Sequence, residues 1–243
     1  MPPRFFVPPP LRAGDVRTLP PGPARHVQVL RLQPGDDITL FDGGGGEWHA
    51  CIDRIGRSEV SVHLIEHVDT TCELPFDVTL AMGMPANDRM DNVVEKATEL
   101  GVAGIQPLVC ERSVLRLVGD RADKKVAHWQ AVAASASEQC GRTQVPTVHP
   151  VRTIAQWLAS LSPDPTQIRQ LLSLREDRRW NPIATAGQHL LYLSGPEGGL
   201  SEAEEQSAMQ AGFQPASLGP RVLRADTAPL AVLAALALQP NTL

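Results

Sequence analysis

YLSGPEGGLSEAE, residues 192–204, passes within one short stretch from an apolar run to a glycine-rich turn to a helix start, and that order decides the fold. The run ending at Leu193 predicts a buried strand, Gly195, Pro196, Gly198 and Gly199 predict a tight connection, and Ser201 predicts a helix cap. A strand feeding a helix through glycines is an α/β unit, and it is also a ligand cradle. Glycines let backbone N–H and C=O groups approach a nucleotide-like molecule, and in open α/β sheets ligands lie beyond the carboxyl ends of the strands. The spacing matches neither GxxxxGK[ST] nor GxGxxG, so neither a triphosphate nor a dinucleotide is indicated. The same residues would also serve a plain turn.

Two further loops repeat the arrangement. In ASLGPRVLRADTAPL, residues 216–230, a short strand ending at Leu218 enters a loop with Gly219, Pro220, Arg221 and Arg224, and Asp226 or Thr227 caps the next helix before Pro229. In PLVCERSVLR, residues 107–116, a strand over 105–109 leads to Glu111, Arg112 and Arg116. The arginines could face an acidic substrate or simply be solvated. Three loops at strand ends are positioned to share one pocket.

Between these loops, apolar runs alternate with helical patterns from Phe76 onward, as an α/β domain requires: VTLAM, IQPLV, LLYL and ASL are the expected strands. In the helix containing RMDNVVEKATEL, residues 89–100, Met90, Val93, Val94, Ala97 and Leu100 fall on one face, Asn87 or Asp88 can cap the start, and Gly101 can end it. Over 121–140, Ala122, Val126, Trp129, Ala133 and Ala136 form a narrow stripe suited to another helix or a partner subunit. Residues 228–238 are apolar nearly all round, which predicts a helix buried on every side. Upstream, residues 38–68 hold short β-prone runs separated by turns at 42–46 and 56–58, the pattern of a small barrel, and 69–75 reads as a linker.

Composition narrows the classes. A chain of 243 residues, 42% hydrophobic, can bury a substantial core. Cys51, Cys72, Cys110 and Cys140 lack CxxC spacing and secreted-framework density, so they predict reduced thiols, and no zinc site is expected. No signal-like start or 18-residue apolar run occurs, which predicts a cytoplasmic protein with no membrane partner. Net charge is −5, yet residues 1–34 carry Arg4, Arg12, Arg17, Arg25 and Arg31 against the single acid Asp15, so a basic face is expected at the N-terminus. Hydrolytic chemistry lacks support: Ser194 and Ser201 sit in no G-x-S-x-G elbow, the seven histidines form no HExxH, and Cys140 in EQCGR reads as packing rather than a nucleophile.

Seven segments in order, PRFFV at 3–7, ARHVQVLRL at 24–32, PGDDITLFDGGGGEW at 34–48, RMDNVVEKATELG at 89–101, EQCGR at 138–142, GPEGGL at 195–200 and LGPRVLR at 218–224, resemble the small-subunit (16S) ribosomal RNA methyltransferase E family. The resemblance implies a PUA-like RNA-binding β-barrel over residues 1–72 and, over 73–243, a SPOUT domain whose chain forms a deep trefoil knot. It implies S-adenosylmethionine held by Pro107 and Leu108, by Ser194, Gly195, Pro196, Glu197, Gly198 and Gly199, and by Leu218, Gly219, Val222, Leu223, Arg224 and Thr227. It further implies RNA contacts from Arg4, Arg25, His26, Arg31 and Arg89, a homodimer, and methylation of uridine N3 in small-subunit ribosomal RNA; the acidic net charge, for its part, suggests a preformed 30S particle as the substrate, with free RNA the alternative. Arg112 and Arg224 would stabilise the deprotonated base, with Glu197 or Asp226 as conceivable proton acceptors. The chain departs from the family pattern at Arg89, where relatives carry lysine, and at Ala225 and Asp226, where they read Thr-Glu. Readings that compete are a SPOUT enzyme acting on a ribose hydroxyl of transfer RNA, a non-catalytic assembly factor, and a dehydrogenase, which would need the missing dinucleotide fingerprint.

Overall fold

The computed structural model describes residues 2–57, 59–86, 89–175 and 179–239. The chain forms two compact units, one of Met1–Glu73 with Ala134–Val145, the other of Leu74–Ala133 with Pro146–Leu243.

The first unit contains β1 (Arg4–Phe6), β2 (Val16–Thr18), α1 (Pro21–Val29), β3 (Asp37–Phe41), β4 (Glu47–Ile55) and β5 (Val60–Val68), with a sheet ordered β1-β3-β4-β5-β2. Alternation explains its faces: Val60, Val62 and Leu64 of β5 turn inward with Ala50 and Ile52 of β4, and Ala24 and Val27 of α1 close over them. The β3–β4 turn depends on glycine. Gly46 has φ +67°, and a Cβ there would lie 2.3 Å from His67 Nε2 and 2.8 Å from the Val68 carbonyl.

Residues 134–145, which the sequence assigns to the downstream domain, belong to this first unit through polar contacts. Arg4 donates from Nη1 to the carbonyls of Ser137 (3.2 Å) and Glu138 (3.3 Å), from Nη2 to that of Arg142 (3.2 Å), and from Nε to Glu47 (3.3 Å). Glu138 Oε1 accepts from the Phe6 amide at 2.8 Å, and Arg142 Nε donates to Glu73 at 2.8 Å.

The second unit runs β6 (Asp77–Gly83), α2 (Arg89–Glu99), β7 (Gly104–Val109), α3 (Asp120–Cys140, whose last turns lie in the first unit), β8 (Thr147–Val148), β9 (Arg152–Thr153), α4 (Ile154–Ser160), β10 (Gln167–Leu172), β11 (His189–Ser194), α5 (Glu202–Gln210), β12 (Gln214–Ala216) and α6 (Thr227–Ala237). Its sheet is parallel throughout, ordered β12-β10-β11-β6-β7-β8, with β9 also paired to β7. From β6 the chain steps to β7 on one side, whereas from β11 it steps past β10 to β12 on the other. The carboxyl ends of the adjacent strands β6 and β11 therefore flank a topological switch point, where connections diverge and leave a crevice.

The expected elements over 78–82, 105–109 and 190–193 are strands, and Gly101, at φ +90°, ends α2. The expected caps of α2, Asn87 and Asp88, lie outside the described residues. Asp226 occupies the N-cap position of α6 but its side chain makes no capping bond, while Pro229, Val232, Leu233 and Leu236 of that helix are buried. Strand β10 was not expected, because QIRQLL mixes polar and apolar residues.

Candidate functional site

Five loops leave the carboxyl edge of the second unit's sheet, and they wall a cavity of about 450 Å³. The loop after β11 supplies Ser194, Gly195, Pro196, Glu197, Gly198, Gly199 and Leu200; the loop after β12 supplies Leu218, Gly219, Arg221, Val222, Leu223 and Arg224. The loop after β10 adds Ser173, Leu174 and Arg175, Arg89 enters at the start of α2, and Arg112 follows β7. The volume suits a drug- or cofactor-sized molecule, for which pockets run ~300–1,000 Å³.

The loop after β11 is fixed from several sides. Gly199 donates its amide to the Pro196 carbonyl at 2.8 Å, and Ser201 with Glu204 forms a reciprocal capping box at the start of α5. Glu204 also accepts from the Glu111 amide at 2.8 Å, and Arg112 Nη1 donates to Gly198 O at 3.0 Å. These bonds join the loops after β7 and β11. Backbones approach so closely that a Cβ on Gly195 would stand 2.7 Å from the Leu200 nitrogen, and one on Gly83 2.4 Å from Pro196 Cδ.

Electrostatically the cavity has two poles. At one, Glu197 Oε1 accepts from the Ala86 amide at 2.8 Å and pairs with Arg89 at 3.5 Å. At the other, Glu205 of α5 accepts from Ser173 Oγ at 3.1 Å and pairs with Arg175 at 3.4 Å. Arg224 lines the cavity with no ion pair among the described residues. Ser194 also lines it, and its Oγ is buried with no hydrogen-bond partner among the described residues. A buried hydroxyl left unsatisfied costs ~1–3 kcal/mol, so a polar ligand group at Ser194 is favoured. The fit to an S-adenosylmethionine-like molecule is thus carried by an orphaned hydroxyl, a glycine cradle and a cavity of suitable size.

Among the residues expected to form the donor site, the structure brings together those at 194–199 and at 218, 219 and 222–224. Pro107 and Leu108 do not join them. Both lie within β7, and Leu108 is fully buried in the apolar core with Ala81, Leu193 and Leu200; from the segment after β7 it is Arg112 that lines the cavity, and the loop after β10 adds Ser173, Leu174 and Arg175. Thr227 lines an adjoining cavity rather than this one. The glycine and arginine signals identified the outer loops; the β10 loop carried no such signal beyond Arg175 following a Leu171-Leu172 pair.

The expected RNA-contacting residues separate into two kinds. Arg25, His26 and Arg31 are exposed on or beside α1, with Arg31 in the left-handed region at φ +56°. Arg4 is not available in that way: its side chain is 8% exposed and its donors are engaged by Glu47 and three carbonyls, with the guanidinium 4.9 Å from the Phe41 ring centre. Arg89 faces Glu197 at the cavity. No cluster of potential metal ligands occurs among the described residues, and no described helix is long and apolar enough to cross a membrane.

Comparison with known proteins agrees with this geometry. Residues 72–237 match the family described as RNA methyltransferase domain, and residues 24–65 match that described as RNA methyltransferase PUA domain. Proteins named ribosomal RNA small subunit methyltransferase E are similar along most of the chain. The one from Synechocystis is 35% identical over 85% of this chain and 67% of its own length, and that from Bacillus subtilis 32% over 89% and 87%. A solved methyltransferase E from Neisseria gonorrhoeae, bound to S-adenosyl methionine, superposes with a TM-score of 0.89 at 36% identity, covering 97% of both chains. A methyltransferase from Legionella pneumophila, in complex with the same cofactor, gives 0.90 at 32% identity, again over 97% of both. The α/β unit with its cavity at the switch point and the small β unit before it are those of an RNA methyltransferase, and the chain belongs to the ribosomal RNA small subunit methyltransferase E family.

Proposed function

We propose that the protein methylates N3 of a uridine in small-subunit (16S) ribosomal RNA, with S-adenosylmethionine as methyl donor. The observation that carries the reading is the cavity at the switch point, with the buried Ser194 hydroxyl, unpartnered among the described residues, on its wall. The donor-bound relatives from Neisseria and Legionella support the choice of cofactor. When bound, S-adenosylmethionine supplies an electrophilic methyl on a sulfonium.

The chain's own residues then act chiefly by positioning. The glycine loop at 195–199 presents backbone polar groups, and Arg112 holds that loop by donating to the Gly198 carbonyl. Holding reactants at near-attack distance lowers a barrier by ~7–11 kcal/mol, whereas a general base typically contributes a factor of ~10²–10⁴. Uridine N3 must lose an imide proton before it attacks. Arg224, at the cavity wall without an ion pair among the described residues, stabilises the resulting anion. Glu197 is engaged by Ala86 and Arg89, which suits it to fixing the start of α2 more than to accepting that proton.

N3 is hidden in a base pair, so the substrate uridine is unpaired or flipped out when it reacts. The β unit that begins the chain, with Arg25, His26 and Arg31 exposed, holds the RNA; the acidic net charge of −5 favours a preformed 30S particle over naked RNA. A homodimer, a knotted path through the 73–243 domain and a cytoplasmic site of action complete the reading. The test is to incubate the protein and labelled S-adenosylmethionine with small subunits from cells lacking the enzyme, then to digest the RNA. Label in 3-methyluridine is expected, and label in any other nucleoside overturns the assignment.

A further inference from the structure

A second cavity, of about 550 Å³, adjoins the first and shares Leu218, Gly219, Arg221 and Leu223 of the loop after β12. Arg179 and Trp180 line it without lining the first. Its chemistry is distinct. Arg179 and Arg221 are exposed, and neither forms an ion pair among the described residues. Trp180 is held in place by its backbone amide, which donates to the Ser217 carbonyl at 2.9 Å, and by its indole N–H, which donates to Tyr192 Oη at 3.3 Å. The two rings meet edge to face at 5.9 Å. Arg179 is bridged to Ser217, so both residues are tied to the same loop that walls the donor cavity.

Two exposed arginines without an ion pair among the described residues, beside an anchored aromatic ring, match a ligand that is anionic at one end and flat at the other. A nucleotide of single-stranded RNA has both, with phosphate for the arginines and a base for stacking. Arg224, assigned above to the anion of the reacting base, lines the first cavity and not the second, so the occupant of the second is a neighbour of that base. We propose that this cavity binds a nucleotide adjoining the methylated uridine, with its base against Trp180 and its phosphate between Arg179 and Arg221. The proposal rests on the methyltransferase reading above. It explains how a loop of the donor cavity can register the RNA at the same time.

The test compares Trp180→Ala, Trp180→Phe and Arg179→Ala with the unaltered full-length protein, measuring S-adenosylhomocysteine affinity by calorimetry and KM for small ribosomal subunits. Trp180→Ala is expected to raise KM about tenfold or more, as loss of one base stack does, while Trp180→Phe keeps most of the affinity. Arg179→Ala is expected to weaken RNA binding and to reduce its salt dependence by about one phosphate contact. Affinity for S-adenosylhomocysteine stays unchanged in all three. Unchanged KM in Trp180→Ala overturns the proposal, as does a parallel loss of S-adenosylhomocysteine affinity. Failure of the unaltered protein to bind S-adenosylhomocysteine at all would instead sink the methyltransferase reading.

Discussion

Arg112 Nη1 lies 3.0 Å from the carbonyl oxygen of Gly198, so a side chain that follows β7 holds the loop that follows β11. The contact is reinforced by a second, longer bond to the Leu200 carbonyl at 3.4 Å and by close packing, since a Cβ on Gly198 would stand 2.9 Å from Arg112 Cβ. A hydrogen bond from a charged donor is worth ~1.5–3 kcal/mol. Arg112→Ala is therefore expected to weaken S-adenosylmethionine binding by about tenfold to a hundredfold. Titration calorimetry checks this, and unchanged affinity would show that the loop is rigid without the arginine.

Gly195 offers a sharper perturbation. Its missing Cβ faces backbone, not a yielding side chain: 2.7 Å to the Leu200 nitrogen and 2.9 Å to the Gly199 carbonyl carbon. Gly195→Ala is expected to cost ~1–3 kcal/mol of stability through overpacking and to abolish measurable donor binding. Gly141, at φ +88° with open space around it, provides the contrast: Gly141→Ala strains the backbone but leaves the cavity and donor affinity intact. Thermal melts with and without S-adenosylhomocysteine distinguish the two, because only a competent cavity shifts the midpoint on adding ligand.

Asp91 joins α2 to α3, accepting from Trp129 Nε1 at 2.9 Å while His128 Nε2 lies 2.7 Å from its other oxygen. Burial raises the Asp91 carboxyl, but the bonds from His128 and Trp129 outweigh that effect and leave it below the ordinary 3.8. A carboxylate with a depressed value stabilises the fold above its unfolded value and loses that contribution as pH falls through the folded value. Stability of the native protein is thus expected to decline below the ordinary 3.8, with that component absent in Asp91→Asn. At neutral pH Asp91→Ala, which orphans the indole N–H, is expected to lose ~1–3 kcal/mol and Asp91→Asn less. Urea denaturation across pH measures both.

Arg4 and Arg25 look alike in the sequence, yet the Arg4 side chain is largely buried and engaged whereas Arg25 is exposed. Removing Arg4 strips the donors from Glu47 and from three carbonyls, and breaking such a part-buried network costs ~3–5 kcal/mol. Arg4→Ala is expected to destabilise the protein strongly, and lysine, which lacks the planar fork, should not restore it. Arg25→Ala should leave the melting temperature within a degree or two and instead lower RNA affinity and its salt slope. Filter binding at two salt concentrations beside a thermal melt decides between these outcomes.

Much of the second unit is legible because its central strands are buried on both faces and must be continuous apolar runs. Thus β6, β7 and β11 announce themselves, and the glycine loop after β11 follows. Strand β10 does not, because Gln167, Arg169 and Gln170 interrupt it; Arg169 spends its charge locally, donating to the Ala211 carbonyl at 2.8 Å beyond the end of α5. With β10 hidden, so were Ser173, Leu174 and Arg175, while in the segment of β7 and its following loop it is Arg112, and not Pro107 or Leu108, that lines the cavity. Arg4 misled for a different reason: an arginine's partners here are backbone carbonyls more than 130 residues away, and carbonyls leave no trace in a sequence.

The discontinuity of the first unit sets the order in which the protein can be completed during synthesis. Residues 1–73 leave the ribosome well before 134–145, and at roughly 5–20 residues per second the interval is about 3–12 s. Throughout that time Arg4 lacks the carbonyls of Ser137, Glu138 and Arg142, and the Phe6 amide lacks Glu138. The N-terminal β unit is therefore a nascent chain waiting for a clasp that is encoded downstream, and a fragment cut after residue 73 would never receive it.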